Sequence, residues 1–378
     1  MKRVAFVVPK MGIGGVERSL LALLSQMPKQ EFDVTLLLFE RGGELEDLVP
    51  YSVKIYNVMG MEQREKLRSS VSKILQIGCK PLHAVVKGLY HRLGAHFVIR
   101  DQEIEHYDVA IAYSDGLATW YTAKNVSAEK KFAFIHTDVL QAQYDAKHES
   151  AVYRAFQCIY LSSSAAREHF LTMLPECEDK TQVLHSLVDG QLLRRLAKEA
   201  APVVHQKNQG LCILTIGRLN WEKGITKVPA LLNKLKQDGI TATWYIAGDG
   251  PEHQNILREA QRLGVSSQLH LLGNLKNPYP LLQMCDIYVQ PSNYEGYCIA
   301  VAEARVLCKP IVACDFAGAR EQLNAGKSGL ITGMSVEEIY PSLKRLADNA
   351  TLREKFVKTL QESQEVQDIS AALWWQKL

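Results

Sequence analysis

Short apolar runs alternate with segments of helical periodicity along nearly the whole chain. These runs have the length and residue types of buried β-strands. They are Val4–Val8, Val34–Phe39, Val53–Val58, Val109–Ala112, Phe132–His136, Ile159–Ser162 and Gln182–Leu184 in the first half, and Cys212–Ile216, Thr243–Ala247, Leu269–Leu272, Ile287–Gln290, Ile311–Ala313 and Leu330–Ile331 in the second. This alternation predicts an α/β protein with parallel sheets covered by helices on both faces.

The same pattern indicates a first helix and a break between two domains. One buried helical face is indicated by the spacing of Leu20, Leu21, Leu23, Leu24 and Met27. Between Gln191 and Gly210 the chain turns to charged and small residues, and a new apolar strand begins at Leu211. We therefore predict two α/β domains in tandem, at residues 1–190 and 205–360. Ligands of open α/β sheets bind at the carboxyl ends of the strands, so the function is expected on the loops that follow them.

Composition and charge restrict the class of protein. The chain has 378 residues, of which 47% are hydrophobic and 22% charged, as in a globular protein of about two domains. The net charge of +3 is too small to indicate a nucleic-acid partner. The cysteines include no Cys-x-x-Cys pair and indicate buried free thiols in a reducing compartment. The run Val4–Val8 is too short for a secretory signal, and no run reaches the ~18 apolar residues of a membrane span, so we expect a cytoplasmic protein, soluble or peripheral.

Residues 61–100 differ from the rest of the chain in charge. Lysine and arginine far outnumber glutamate in this segment, and its apolar residues follow helical spacing. A basic amphipathic helix of this kind can lie on an anionic membrane surface. A helix that packs on the core and exposes its charged face to water fits the pattern equally well, and the sequence leaves both interpretations open.

Two glycine-rich turns lack a residue that dinucleotide binding requires. The turns at 12–15 and 248–250 have Glu17 and His253 where the fingerprint G-x-G-x-x-G needs its third glycine. Metal-ligand patterns are also missing from the sequence, because no two aspartates are separated by a single residue and no histidines have the H-E-x-x-H spacing. We therefore predict that the protein requires no metal ion and no other cofactor.

Two cations lie on the turn after the predicted strand Cys212–Ile216. This turn, residues 217–224, begins and ends with glycine and contains Arg218 and Lys223. Arginine forms paired hydrogen bonds with phosphate oxygens, whereas lysine supplies a mobile point charge. The pair is suited to neutralise a diphosphate in place of a metal, although a surface turn with solvated charges has the same composition.

Two glutamates, Glu295 and Glu303, follow the predicted strand Ile287–Gln290. A helix is predicted to begin near Ile299, and its amino end would direct N–H groups and partial positive charge at an anion beside Glu295. A carboxylate accepts two hydrogen bonds from the vicinal hydroxyls of a ribose or another sugar. Helix capping by acidic side chains is the alternative. It accounts for Glu295 but not for Glu303, which lies among apolar residues.

These motifs occur in a fixed order along the chain, together with further glycine-rich turns. The elements in question are Gly14-Gly15-x-Glu17, Gly217-Arg218 with Lys223-Gly224, Gly248-Asp249-Gly250-Pro251, Pro291-Ser292, the pair Glu295 and Glu303, and Gly318-Ala319-Arg320-Glu321 with Gly326 and Gly329. In this order they resemble the retaining glycosyltransferases of family 4. The resemblance covers essentially the whole chain. It implies the GT-B fold, in which two Rossmann-like domains face each other across a cleft and a helix, here at about 365–378, crosses back to the first domain.

The resemblance implies a nucleoside diphosphate-sugar donor, with a UDP-sugar as the expected case, held mainly by the second domain. The residues implied to be catalytic are Arg218 and Lys223 at the diphosphate, Glu295 at the transferred sugar, and His136, which faces that sugar from the first domain. The residues implied to bind substrate are Gly14 and Gly15, where a side chain would obstruct the phosphates, Asn274 and Leu275 beside the base, Glu303 at the ribose, and Gly217, Gly296, Tyr297, Cys298 and Ile299 around phosphate and sugar. The chain departs from the family's pattern at residues 185–189 and 317–318.

The implied reaction moves a sugar from this donor to a glycan or a lipid-linked saccharide, with retention of the anomeric configuration and without a metal. We expect a role in cell-surface polysaccharide synthesis, at the inner face of the membrane if segment 61–100 binds lipid. Two alternatives use the same fold: a sugar-nucleotide epimerase or phosphorylase, and a non-catalytic partner that binds nucleotide-sugars. The presence of all four charged residues, Arg218, Lys223, Glu295 and Glu303, argues against a decayed site.

Overall fold

The computed structural model describes residues 1–58, 106–142, 144–203, 205, 210–363 and 374–375. The basic segment 61–100 lies outside the described residues, and so does the predicted helix at 365–378 apart from Trp374 and Trp375. No helix within the described ranges combines the length and the apolar character needed to cross a membrane.

Seven parallel strands form the first sheet. Their bounds are β1 Lys2–Lys10, β2 Phe32–Glu40, β3 Lys54–Asn57, β4 Tyr107–Ala112, β5 Ala128–Ile135, β6 Cys158–Leu161 and β7 Thr181–Val183. The order across the sheet is β3-β2-β1-β4-β5-β6-β7, so the direction of winding reverses between β1 and β4. A crevice opens at such a reversal, outside the carboxyl ends of the strands, and the loops after β1 and β4 border it.

Helices follow strands of the first sheet. Their bounds are α1 Gly15–Gln26, α2 Leu117–Asn125, α3 Ala146–Tyr153, α4 Ser164–Met173 and α5 Gly190–Leu196. Of the predicted buried face, α1 buries Leu20, Leu23 and Leu24, Met27 is buried just beyond its last turn, and Leu21 is only half-buried. The side chains of Asp145 and Ser163 accept hydrogen bonds from the first turns of α3 and α4, which fixes where these helices begin.

Six parallel strands form the second sheet. Their bounds are β8 Leu211–Ile216, β9 Ala242–Ala247, β10 Leu269–Leu271, β11 Ile287–Gln290, β12 Ile311–Cys314 and β13 Leu330–Thr332. The helices are α6 Val228–Gln237, α7 His253–Arg262, α8 Tyr279–Met284, α9 Ile299–Val306, α10 Ala319–Gln322, α11 Val336–Asp348 and α12 Ala350–Ser363. The order β10-β9-β8-β11-β12-β13 reverses between β8 and β11, so the loops after these two strands are neighbours.

Every predicted strand is present, and the α/β prediction is confirmed. The bounds differ by a few residues because backbone pairing continues through polar positions, as at the start of β5, where exposed Glu129 and Lys130 precede the apolar run. This strand ends at Ile135, which makes His136 the first residue of the following loop. The domain boundaries 1–190 and 205–360 stay predictions.

A tryptophan near the end of the chain returns to the first domain. Trp374 is buried in the first core, and its ring meets those of Phe134 and Tyr160 edge-on at centroid distances of 5.1 and 6.0 Å. Trp375 packs against the same core. These contacts agree with a chain end that crosses back from the second domain, as the resemblance implies.

Candidate functional site

Lys223 and Glu295 form an ion pair where two loops of the second sheet meet. Lys223 ends the 3₁₀ turn Trp221–Lys223 after β8, and Glu295 lies in the loop after β11. Lys223 Nζ is 2.6 Å from Glu295 Oε1. The loops approach closely because Gly224, at φ +60°, has no side chain, and a Cβ there would lie 2.1 Å from the Pro291 carbonyl oxygen. The fold thus pairs Lys223, which the sequence predicts to bind phosphate, with Glu295, which it predicts to bind sugar.

Buried hydrogen bonds fix the Glu295 carboxylate. Tyr288 donates to the side-chain oxygen of Gln290, whose amide donates to Ser292 Oγ at 2.8 Å. Ser292 Oγ donates in turn to Glu295 Oε1 at 2.8 Å. The pKa of Lys223 is raised, because the charge of Glu295 and the hydrogen bond to it outweigh the burial that favours the neutral amine. Lys223 is therefore a fixed cation at neutral pH.

Arg218 is exposed on the same turn as Lys223, and its charge reaches the first domain. Burial raises the pKa of the Glu17 carboxyl on α1, and Arg218 opposes that rise. Gly217 lies against the stem of Lys223, where a Cβ would be 3.5 Å from Lys223 Cγ. The two predicted phosphate-binding cations therefore share one short turn at the cleft between the domains.

The loop between β11 and α9 is held against the first domain. Ser163 Oγ donates to the Gly296 carbonyl at 2.8 Å. The ring of His185 stacks on that of Tyr297 at a centroid distance of 5.0 Å. A Cβ at Gly296 would lie only 2.3 Å from the carbonyl oxygen of His136. The first domain thus closes directly on residues that are expected to surround phosphate and sugar.

Cys298 adopts a backbone conformation that few residues other than glycine take readily. Its φ is +72°, and it immediately precedes α9. Gln322 donates to the carbonyls of Tyr297 and Cys298, which stabilises this conformation. Strained backbone of this kind is frequent at ligand sites. Burial raises the pKa of the Cys298 thiol well above its ordinary value, so its contribution is the shape of the turn and not a thiolate nucleophile.

The capping interpretation of the two glutamates is wrong. Glu303 lies in the second turn of α9, is 3% exposed, and accepts a hydrogen bond from Tyr279 OH at 2.8 Å. No side chain caps α9, and Glu295 is bonded to Lys223 and Ser292 instead. Burial raises the pKa of Glu303. Neither carboxyl group is used to cap α9, and their contact with ligand hydroxyls stays a prediction.

The loop predicted to flank the base begins at Gly273, after β10. The Gly273 carbonyl accepts a hydrogen bond from the N–H of Gly248 at 2.8 Å, so this loop lies beside the glycine turn after β9. Asn274 is exposed and Leu275 is half-buried. Their contact with a base stays a prediction.

Gly15 allows close packing across the cleft, whereas Gly14 packs against its own helix. A Cβ at Gly15 would lie 3.1 Å from Ile299 Cβ, and one at Gly14 would lie 2.3 Å from Glu17 Oε2. The sequence assigns these glycines to the approach of phosphates. For Gly15 the structure supplies a different reason, which is contact between α1 and α9, whereas a side chain at Gly14 would meet Glu17 of α1 itself. The approach to phosphates stays a prediction.

His136 is placed at the cleft in its neutral form. Its backbone meets Gly296, and its Nδ1 lies 3.3 Å from Ser186 Oγ. Nε2 is buried without a hydrogen-bond partner. Burial lowers the pKa of His136 to about 4, although Asp115 acts in the opposite direction. A neutral imidazole can exchange a hydrogen bond with a sugar hydroxyl, whereas it has no charge to offer a phosphate.

Several residues at the site were not predicted from sequence. Ser163, His185, Arg18 and Tyr279 contact the loops of the opposite domain or the predicted site residues. Ser163 had a usable signal, because a serine before a helix is a typical N-cap and lies at the amino end that faces the cleft. The other three carry no such signal, since their partners are distant in sequence.

An acidic group lies beside the site in the first domain. Tyr144, in the segment after β5, donates through its hydroxyl to Asp115 Oδ2, in the loop after β4, at 2.5 Å. The pKa of Glu149 on α3 is raised from 4.5 to about 7. Burial is the largest cause, and the negative charges of Asp115 and Asp145 add to it, whereas a hydrogen bond from Trp120 lowers the pKa. Between pH 4.5 and 7 the folded protein therefore holds a proton that the unfolded chain releases.

Replacing Glu149 by glutamine should stabilise the protein at high pH only. In the wild type, stability falls as pH rises through the window from 4.5 to about 7, because the buried carboxyl must ionise. We expect Glu149→Gln to raise the free energy of unfolding by about 1–2 kcal/mol at pH 8 and to leave it nearly unchanged at pH 4.5. Denaturant unfolding at both pH values is the measurement, with the exposed Glu129→Gln as control. An equal effect at both pH values would contradict the assignment.

Within the parts of the chain that the structure describes, no group of three or more His, Cys, Asp or Glu is arranged to hold a metal ion. Seven described cysteines are free thiols, and all but Cys308 are buried. That the protein requires no metal ion stays a prediction.

Known proteins resemble this chain in sequence. Residues 198–363 match the model of the family described as Glycosyl transferases group 1. The alpha-D-kanosaminyltransferase of Streptomyces kanamyceticus is 25% identical over 149 residues, so the match spans 39% of this chain and 39% of that relative's length. A longer match, 21% identical over 360 residues, covers 94% of this chain and 93% of the N-acetylgalactosamine-N,N'-diacetylbacillosaminyl-diphospho-undecaprenol 4-alpha-N-acetylgalactosaminyltransferase of Campylobacter jejuni.

A solved structure resembles this chain over its whole length. The Anabaena protein HepE, in complex with UDP and glucose, superposes with a TM-score of 0.74 at 17% identity, over 100% of this chain and 98% of that one. The chain has the GT-B fold. In the present chain, the Lys223–Glu295 pair lies on the second-domain side of the cleft, and His136 lies on the first-domain side.

Proposed function

We propose that this protein is a retaining glycosyltransferase of family 4. It transfers a sugar from a nucleoside diphosphate-sugar, with UDP-sugar as the proposed donor, to a glycan or lipid-linked saccharide. The observation that carries the proposal is the joined Lys223–Glu295 pair on the same turn as Arg218. It lies at strand ends within the segment that matches the group 1 family. The full-length relative whose name includes diphospho-undecaprenol supports a lipid-linked acceptor.

In the proposed reaction, fixed positive charge stabilises the departing nucleotide. Negative charge builds on the β-phosphate as the bond from the anomeric carbon to its oxygen breaks. Arg218 and Lys223 bind that phosphate, and the first turn of α9 directs N–H groups at it. These groups are in place before the reaction and stabilise the transition state more than the bound donor.

The sugar and nucleoside are held by the carboxyl groups and His136. Glu295 accepts hydrogen bonds from hydroxyls of the transferred sugar, and Glu303 from those of the ribose. His136 bonds the sugar from the opposite domain. The acceptor oxygen attacks from the face that the leaving group vacates, so the configuration is retained, and the acceptor's proton passes to the departing phosphate oxygen. No separate general base is needed.

The biological setting follows from the acceptor. We propose that the protein works in cell-surface polysaccharide synthesis at the inner face of the cell membrane, where a lipid-linked saccharide would be met. Segment 61–100 is the proposed membrane contact, since its excess of Lys and Arg suits an anionic surface.

Nucleotide binding without metal is the first test. We expect one of UDP, GDP or ADP, or its sugar conjugate, to stabilise the protein in the presence of a chelator. A ligand at ~100 times its dissociation constant adds ~2.7 kcal/mol, which thermal unfolding detects readily. The same panel with magnesium is the control. Stabilisation by none of the nucleotides contradicts the function, and stabilisation only with magnesium contradicts the proposed metal independence.

Product analysis separates the proposed function from its alternatives. A glycosyltransferase consumes the donor in step with an added saccharide acceptor and gives a glycoside of the same anomeric configuration as the donor. An epimerase converts the donor without any acceptor, a phosphorylase consumes it with inorganic phosphate, and a binding partner leaves it intact. The donor, the saccharide acceptor and inorganic phosphate therefore suffice to give a different result for each alternative.

A further inference from the structure

Arg18 reaches across the cleft from the first domain to the second. It lies on α1, and its Nη1 donates to Tyr279 OH at 2.9 Å. Its Nη2 donates to the carbonyl oxygens of Lys276 at 2.8 Å and Leu275 at 3.4 Å. The guanidinium carbon is also 5.2 Å from the centre of the Tyr279 ring. One side chain thus binds both the start of α8 and the loop that precedes it.

Tyr279 passes this contact on to Glu303. Tyr279 is 5% exposed, and its hydroxyl donates to Glu303 Oε1 at 2.8 Å. Arginine has only donors, so the tyrosine oxygen must accept from Arg18, and its single proton is directed at Glu303. The orientation of the buried Glu303 carboxyl is therefore set by a residue of the opposite domain.

The electrostatics favour a charged Arg18 in this place. Although burial opposes the charge, Tyr279 and Glu303 raise the pKa of Arg18. Burial and then Glu303 raise the pKa of Tyr279 well above its ordinary value, so it stays a donor. A charged donor that bonds three groups in planar geometry is difficult to replace, because lysine has one nitrogen where arginine uses two.

We propose that Arg18 is a positioning residue for the nucleoside half of the donor. It never touches the ligand. It orients Glu303 through Tyr279 and holds the 275–276 backbone through its carbonyls, so the nucleoside site is complete only when the two domains are seated together. This inference rests on the proposed function, in which Glu303 binds the ribose and the loop flanks the base. The pyrophosphate half of the site, at Arg218 and Lys223, does not depend on Arg18.

Binding of two probes tests this division. Calorimetry measures the affinity of Arg18→Ala, Arg18→Lys and Tyr279→Phe for whichever of UDP, GDP and ADP the wild type binds most tightly, and for inorganic pyrophosphate. We expect Arg18→Ala and Tyr279→Phe each to bind the nucleoside diphosphate on the order of tenfold more weakly, as the loss of a hydrogen bond to a charged group implies, with pyrophosphate affinity unchanged. Because both act through one relay, the double variant should lose little more than either alone.

A neighbouring ion pair supplies the matched control. Lys276 Nζ lies 3.0 Å from Asp47 Oδ2, which also joins the two domains, but both side chains are more than half exposed. Asp47→Asn removes this contact and should leave both affinities unchanged, because exposed pairs contribute little.

Each outcome has a distinct meaning. Unchanged nucleotide affinity in the Arg18 variants, or an equal loss for nucleotide and pyrophosphate, overturns the positioning role while the proposed function stands. A wild type that binds no nucleotide overturns both. If Arg18→Ala does not fold, Tyr279→Phe decides, because it removes the hydroxyl that links Arg18 to Glu303 while keeping the arginine, and it should lose nucleotide affinity selectively.

Discussion

Replacing Lys223 by alanine should lower turnover at saturating donor by at least about a hundredfold. The substitution removes the cation proposed to bind the departing phosphate, and one such preorganised donor contributes about 10²–10³ in rate. It also leaves the Glu295 carboxylate, 10% exposed, without its partner. Breaking a pair of this kind costs about 3 kcal/mol or more, so the unfolding midpoint should fall as well. Steady-state kinetics and thermal unfolding measure the two effects.

Two further variants separate catalysis from stability. Arg218→Ala removes an exposed side chain and should lower turnover similarly with little change in the unfolding midpoint, because Arg218 acts on the buried Glu17 carboxyl through charge alone and not through a hydrogen bond. Lys131→Ala removes a partly buried ammonium that bonds the Ala123 carbonyl at 2.9 Å, in β5 and away from the loops after the strands. It should lose stability without losing turnover. Near-native turnover in Lys223→Ala or in Arg218→Ala would contradict the proposed role of the replaced residue in binding phosphate.

The central strands of both sheets could be predicted because burial on both faces leaves each of them a continuous apolar run. The runs at Val4–Val8 and Ile287–Gln290 show this clearly. Strand ends were less accurate, since pairing in β5 continues through exposed Glu129 and Lys130, where hydropathy carries no signal. Residues 61–100 lie outside the described residues, so the proposed contact of this segment with a membrane stays a prediction.

The second-domain half of the site was also accessible from sequence. Arg218, Lys223, Glu295 and Glu303 lie on loops or helices that directly follow strands, and the sheet order brings β8 and β11 together. The sequence did not pair Lys223 with Glu295, because a distance of 2.6 Å between residues far apart in the chain depends on how two loops pack. It also left helix capping open, which only the observed start of α9 excludes.

The first-domain half was less accessible, because it depends on how the domains meet. Arg18 sits on a helix whose pattern reports only its buried face. Nothing in that pattern indicates that the opposite side reaches Tyr279. The sequence indicates Gly15 as a site residue but explains it by the approach of a phosphate, because the space left by a missing side chain suits a phosphate and the side chain of Ile299 equally well. Contacts between domains leave no periodic signal in sequence.

Replacing Gly296 by alanine should lower turnover sharply by forcing the domains apart. The backbone of Gly296 is not in the left-handed region, so alanine suits its own conformation, and the obstacle is space alone. The new Cβ would lie 2.3 Å from the carbonyl oxygen of His136 and 2.8 Å from Ser162 Oγ, both in the first domain. Neither the loop after β5 nor the turn between β6 and α4 can retreat locally, because backbone and a buried hydroxyl form the obstacle. We expect turnover to fall at least about a hundredfold, since displacement by about 1 Å is enough for such a loss.

The site of the clash predicts what else should change. Alanine at position 296 leaves Lys223, Glu295 and their hydrogen bonds in the second domain, so pyrophosphate should still bind, while small-angle scattering should report a wider separation of the domains. Gly12→Ala is the matched control: a Cβ there would meet its nearest neighbour, Glu44, at an ordinary 3.7 Å, and turnover should be unaffected. If Gly296→Ala instead turned over normally, the close contact between His136 and the β11–α9 loop would not belong to the working enzyme. The reaction would then have to proceed in a more open cleft, in which His136 is too far from the sugar to bond it.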